Sequence, residues 1–289
     1  MTVPALRRPS SLLTLTMLAC LAYFLLPLFW LVVSATKSTS ALFDTFGLWF
    51  GGEFDLFANL RDTFAYDNGV YLHWLLNTVL YAGVSAVGAA LLAAMGGYAF
   101  AKYRFPGRTV LFAIVVGSIM VPSTVLAIPT YLLFSKVGIV NTPFAIILPS
   151  LVSPFGLYLM RVYADAAVPD TLIDAARIDG AGPLRIFWQV AFRLLAPGMV
   201  TVLLFTLVST WNNYFLPLIM LTDPSWFPIT VGLTQWQALA SGGTSGGGAQ
   251  ALYSIVITGS LISIIPLIAA FLLLQRYWHN ALSLSATNE

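Results

Sequence analysis

Six stretches of this chain, about Ser11–Ser34, Leu72–Phe100, Thr109–Phe134, Phe144–Met160, Pro197–Thr222 and Ala251–Leu274, contain no Lys, Arg, Asp or Glu. Each is dominated by apolar residues and is long enough for a helix to cross the hydrocarbon core of a bilayer, which takes roughly 17–25 residues. The expected fold is therefore all-α and polytopic, with six transmembrane helices. Composition supports this: only 8% of the residues are charged, against about 25% in soluble domains. Arg7 and Arg8 precede the first run as they would precede a secretory signal. The run is much longer than the roughly 7–15 residues of a signal core, so it is read as an uncleaved span.

The cations set the orientation, because Lys and Arg concentrate in cytoplasmic loops. With the N-terminus inside, ten fall on the inner side: Arg7, Arg8, Lys102, Arg104, Arg108, Arg161, Arg177, Arg185, Arg193 and Arg276. Lys37, Arg61 and Lys136 remain outside, beside an acidic first loop that carries Asp44, Glu53, Asp55, Asp62 and Asp67. Both termini are thus expected in the cytoplasm. Residues 1–71 form an N-terminal segment with the first helix and outer loop. Residues 72–275 form a core of five helices with a cytoplasmic loop at 162–196, and 276–289 form a tail. Prolines at 27, 122, 129, 149, 154, 217 and 266 fall within the runs and are expected to kink them.

The loop at 162–196 is unlike its surroundings. In "LIDAARIDGAGPLRIFWQVAFRLLAPG" (Leu172–Gly198), a helix opens on a cap at Asp170 or on a capping box of Thr171 with Asp174. Gly180 supplies the left-handed residue that ends it. Gly182 and Pro183 then suit the start of a second helix. There Leu184, Phe187, Trp188, Ala191 and Leu195 recur as one apolar stripe, while Arg185, Gln189 and Arg193 share another face. Such a helix would lie along the inner membrane surface, with the small residues of the preceding turn facing outward.

"DAARIDGA", followed by Phe187 and Pro197, resembles the EAA loop of permease subunits in bacterial ABC importers. "AKYRFPGR", "MVPSTVLAIPTYLLFSKVGIVNT", "TWNNYFLPLIML" and "LLLQRYWHNALS" resemble the carbohydrate-uptake branch, the maltose-transporter type, in its smaller MalG-like subunit. Asp174 stands where the motif usually has Glu, and Gly182 where Ser or Thr often follows. The resemblance implies a type I importer (MetI-like) permease fold in the bacterial inner membrane. It implies that Asp174, Ala175, Ala176, Asp179, Gly180, Ala181, Phe187 and Pro197 form a coupling helix and turn seated on an ATPase subunit. The implied partners are a second permease subunit, two ATPase subunits that bind ATP and Mg, and an extracytoplasmic sugar-binding protein. The loop Asp223–Gln250 resembles the segment that reaches the binding protein, with Trp236 and Gln237 as contacts.

Several functions are disfavoured by the residues themselves. No Gly precedes any Lys, so no G-x-x-x-x-G-K phosphate loop exists and ATP must be hydrolysed elsewhere. The single Cys20 and the widely separated His73 and His279 offer no metal-ligand spacing, so neither cofactor nor metal is expected in this chain. A net charge of +2 is too small to suggest nucleic acid. An ion-coupled carrier would keep ionisable groups within its spans. An intramembrane enzyme would need carboxylates at the membrane face, yet Asp165, Asp170, Asp174 and Asp179 all fall in or beside the EAA-like loop. The chain is expected to be a transport subunit and not an enzyme. Asn212, Asn213, Tyr214, Trp211 and Asn77 are candidate pathway residues, whose amides, hydroxyl and aromatic faces suit a sugar. Glycerol-phosphate is the alternative cargo, and it would want cations these spans lack.

Overall fold

The computed structural model of the chain describes residues 11–242 and 247–285. Arg7, Arg8, residues 243–246 of the Gly-rich loop and residues 286–289 of the tail lie outside them. The described chain is helical: α1 (Ser11–Ala35), α2 (Thr39–Asp44), α3 (Leu56–Ala65), α4 (Val70–Lys102), α5 (Arg108–Ser118), α6 (Ser123–Val137) and α7 (Phe144–Ser150). It continues through α8 (Pro154–Ala167), α9 (Asp170–Ile178), α10 (Pro183–Ile186), α11 (Phe192–Trp211), α12 (Phe215–Met220), α13 (Ile229–Gly242) and α14 (Gly247–Ser285).

Five helical segments are long and apolar enough to cross a membrane: Ser11–Ala35, Leu56–Lys102, Phe144–Ala167, Pro183–Trp211 and Leu252–Gln275. The expected third span is different. It is a pair, α5 and α6, bent by 105° at the residues between them. Pro122 explains the break, because it has no N–H to give and it disfavours helical backbone at the residue before it. α5 ends in tight turns from Ile119, Met120 and Val121 back to Val116, Gly117 and Ser118, and α6 restarts after Pro122.

Contacts divide the described residues into two compact units, one within Met1–Gly69 and Leu233–Ile262 and the other within Val70–Gly232 and Ser263–Glu289. In the first unit Lys37 is buried, and its Nζ donates to Thr45 Oγ1 (2.9 Å) and to the Phe46 carbonyl (2.8 Å). The Asn59 amide donates to the carbonyls of Ala35 and Lys37, both at 2.9 Å, which fixes the chain leaving α1.

In the second unit α4, α8 and α11 pack on one another through small residues. Ala86, Ala90, Ala93, Ala94 and Gly97 of α4 are buried. Helices in lipid gain little from the hydrophobic effect when they associate, so small side chains that allow close van der Waals contact are favoured at their crossings. Gly97 marks the closest approach: a Cβ there would lie 2.6 Å from Arg161 N and from Met160 C. Gly198 of α11 similarly receives the Tyr163 ring of α8.

Candidate functional site

Three helix interruptions in the second unit border one open cavity of about 730 Å³, within the roughly 300–1,000 Å³ of small-molecule sites. They are the α5–α6 break, the α7–α8 junction and the α11–α12 junction. At the second, Ser153 caps α8 by accepting from Gly156 N (3.1 Å), and Pro154 takes the first helical position. At the third, Asn212 closes α11 with its Nδ2 on the Val208 carbonyl (2.9 Å), and Asn213 Oδ1 accepts from Leu216 N (3.4 Å). Irregular backbone is tolerated at membrane depth only where protein buries it or where it lines a cavity. Here all three breaks line the same one.

The lining is uncharged: among its described residues are hydroxyls and amides but no Lys, Arg, His, Asp or Glu. Many of its hydroxyl protons are already used. Ser118 donates to Val115 O (2.7 Å), Thr130 to Leu126 O (2.7 Å), Ser150 to Ile146 O (2.8 Å) and Ser209 to Thr206 O (3.1 Å). Each is a bond back to the preceding helical turn. What these groups keep for a ligand is oxygen lone pairs, which suits a solute rich in donors.

Of the candidate pathway residues, Asn212, Asn213 and Tyr214 line this cavity. Trp211 is buried at the end of α11. Asn77 is engaged elsewhere: its Nδ2 donates to the carbonyls of Ser225 (2.7 Å) and Phe227 (3.1 Å). Together with Trp74 Nε1 on Pro224 O (3.0 Å) and Tyr81 Oη on Trp226 O (2.8 Å), it fastens the loop after α12 to α4. Asn141, between α6 and α7 and in the left-handed region at φ 60°, holds the start of the same loop there by accepting from the amides of Thr222 and Asp223. Sequence reasoning missed Thr206, Ser209, Thr210, Ser150 and Ser153 as lining residues. The Ser-Pro pair at 153–154 was the available signal for a break.

The EAA-like loop carries a second arrangement. α9 ends in a Schellman turn: Gly180, at φ 76°, donates to Arg177 O (3.0 Å), and Ala181 donates to Ala176 O (2.9 Å). α9 opens at Asp170 after Pro169, with no side-chain cap. Neither expected cap forms, because Asp170 pairs with Lys102 (2.9 Å) and Asp174 with Arg177 (3.0 Å). The Lys102 ammonium holds the Asp170 carboxyl below the ordinary aspartate range, first by its hydrogen bond and then by its charge. Ala175 and Asp179 are exposed, Ala176 and Ala181 half-buried.

The second helix of this loop also departs from expectation. It does not lie apart as a surface helix but runs from Pro183 into the span ending at Trp211. A π-turn at Phe187–Ala191, closed by Phe192 N on Phe187 O, inserts an extra residue and rotates the helix before it. Ile186, Phe187, Ala191 and Leu195 are therefore buried, while Leu184 and Trp188 of the expected stripe are 70% and 48% exposed. Pro197 sits inside α11 and does not end it. Arg185 Nε donates to Gln189 Oε1 (3.0 Å), as a shared face requires.

In the other unit, Trp236 is buried and packs edge-to-face on Tyr66, with ring centroids 5.2 Å apart. Its ring is a packing element of that unit, while Gln237 beside it is exposed.

Residues 86–280 match a family described as "Binding-protein-dependent transport system inner membrane component". The chain belongs to this family. It is a multi-pass membrane protein, a permease, and similar proteins bear names in keeping with that. The permease is 34% identical over 220 residues, 75% of each chain, to the arabinooligosaccharides transport system permease protein AraQ of Halalkalibacterium halodurans. It is 28% identical over 274 residues, 93% of this chain and 94% of the other, to the lactose transport system permease protein LacG of Rhizobium radiobacter. Its fold is similar to one in the crystal structure of a bacterial ABC transporter involved in the import of the acidic polysaccharide alginate. The TM-score is 0.79 at 23% identity, covering 96% of this chain and all of that one. Among the described residues, no group of three or more His, Cys, Asp or Glu is placed to hold a metal ion.

Proposed function

We propose that this permease is the smaller, MalG-like subunit of an ATP-driven importer that carries a neutral sugar or oligosaccharide across the bacterial inner membrane. Its partners in this reading are a second permease subunit, a pair of ATPase subunits holding ATP and Mg, and an external binding protein met at Gln237. The termini lie in the cytoplasm, which puts the α9–α10 turn on the same side as the ATPases. Asp174, Ala175, Ala176, Asp179, Gly180 and Ala181 form the surface that docks. Ile178 and Leu184, 87% and 70% exposed on either side of the turn, are apolar groups with something to gain from a protein partner. Burying each would contribute roughly 1.5–3 kcal/mol gross. Phe187 and Pro197 act from within the helix that carries the motion into the spans.

The single observation that carries the cargo assignment is the uncharged cavity whose hydroxyls present lone pairs. A polyol brings O–H donors to meet them. A phosphate or carboxylate brings more acceptors and would need cations, which the lining lacks. Asn212, Asn213 and Tyr214 supply the amide donors and the ring for this pathway, with Trp211 supporting them.

Uptake into lipid vesicles containing the assembled importer tests this. We expect ATP-dependent accumulation of arabinotriose or lactose in preference to glycerol 3-phosphate. The variant Ser209→Trp, which fills the cavity, should cut the initial rate at least about tenfold, or ~1.4 kcal/mol in barrier. Preferential uptake of glycerol 3-phosphate, or an unchanged rate in the variant, would overturn the assignment.

A further inference from the structure

We propose that Lys102 is a positioning residue of the coupling loop. Its ammonium clamps the first residue of α9 and the last turn of α8 to the end of α4, so that force reaching α9 passes to α4 through an ion pair as well as along the backbone. The inference rests on the coupling role assigned above to α9.

α4 ends at Lys102, whose side chain is only 6% exposed. The Nζ atom lies 2.9 Å from Asp170 Oδ1 and 3.5 Å from the carbonyl oxygen of Asp165. Asp165 is in the last turn of α8, where carbonyls lack helical partners and the helix dipole is negative. Asp170 opens α9. One ammonium therefore meets the ends of three helices, of which α8 and α9 are also joined by the two residues Val168 and Pro169 and α4 and α8 by their packing.

The rest of the attachment of α9 is thin. Of its nine residues only Ile173 is buried. Lifting α9 away would strip the ammonium of its counter-charge and leave a backbone carbonyl at 3.5 Å as its remaining partner, on a side chain otherwise held against protein. The N-terminal end of α9 therefore travels with α4 and α8. Asp170 is 79% exposed at its side chain, so a change there alters the charge without disturbing the packing.

Amide exchange across 170–178 in the assembled importer in lipid, together with ATP hydrolysis in response to the binding protein loaded with arabinotriose, tests the clamp. In Lys102→Met we expect exchange in α9 to rise at least about tenfold while α11 keeps its protection, and hydrolysis to lose its response to the loaded binding protein. Asp170→Asn should change both in the same direction by less, and Lys102→Arg should restore both. Unchanged exchange in both Lys102→Met and Asp170→Asn overturns the clamp. Faster exchange with an intact hydrolysis response overturns its part in coupling. If Gly180→Val also keeps that response, the fault lies with the coupling role of the loop itself.

Discussion

Gly180→Val is expected to reduce ATP-driven uptake by one to two orders of magnitude, to about 1–10% of the original rate, while the protein still inserts and basal hydrolysis in the complex continues without its response to the loaded binding protein. Gly180 lies at φ 76°, and a Cβ built there meets nothing within 4 Å. The cost is therefore conformational and not steric crowding. A β-branched residue resists the left-handed region, at about 1–3 kcal/mol for such a strained position. The Schellman bonds of Gly180 and Ala181 to Arg177 and Ala176 depend on that conformation, so relieving the strain re-aims the turn between α9 and α10. Gly180→Asn should retain most activity, because Asn tolerates the left-handed region. Uptake and hydrolysis measured on the same vesicles check this. Full uptake in the valine variant would contradict the coupling role.

The second large effect separates two glycines of one helix. Gly97→Ala should destabilise the protein by about 1–3 kcal/mol, because the added methyl overpacks the α4–α8 crossing. The neighbour there is backbone, at 2.6 Å from the new Cβ, and cannot swing aside. Gly83→Ala meets open space and should stabilise by about 0.5–1 kcal/mol, through helix propensity alone. Thermal unfolding of the two variants in detergent should therefore shift in opposite directions. Shifts of the same sign would mean that the crossing is looser than its geometry indicates.

The spans were legible because they follow from one strong physical signal, charge-free apolar length: five of the six expected runs overlap a segment able to span, although the fifth, expected over Pro197–Thr222, lies instead at Pro183–Trp211. Gly180 and the Gly182–Pro183 restart were legible too, because turn chemistry is local. What escaped was set by the packing of distant segments. Pro122, read as a kink, makes a bend of 105°. Asn77, polar and within a span, fastens a loop instead of facing the cavity. Asp170, a plausible cap by residue type, and Asp174, the expected capping-box partner of Thr171, are drawn to cations, and the cation for Asp170 lies 68 residues away. Leu184 and Trp188 left the expected stripe because a π-turn adds a residue that no periodicity count contains. The back-bonding of Ser118, Thr130, Ser150 and Ser209, which gives the cavity its character, is visible only in atomic geometry.

Under the proposed function, an ATPase takes hold of this chain at the α9–α10 turn. A photo-crosslinking amino acid in place of Ile178, 87% exposed beside that turn, reads it directly in membranes of cells making the whole importer. A covalent adduct with an ATPase subunit is expected, and its loss when the probe is moved to the buried position of Ile173. Adducts to lipid alone, or to proteins that bind no nucleotide, would contradict this docking.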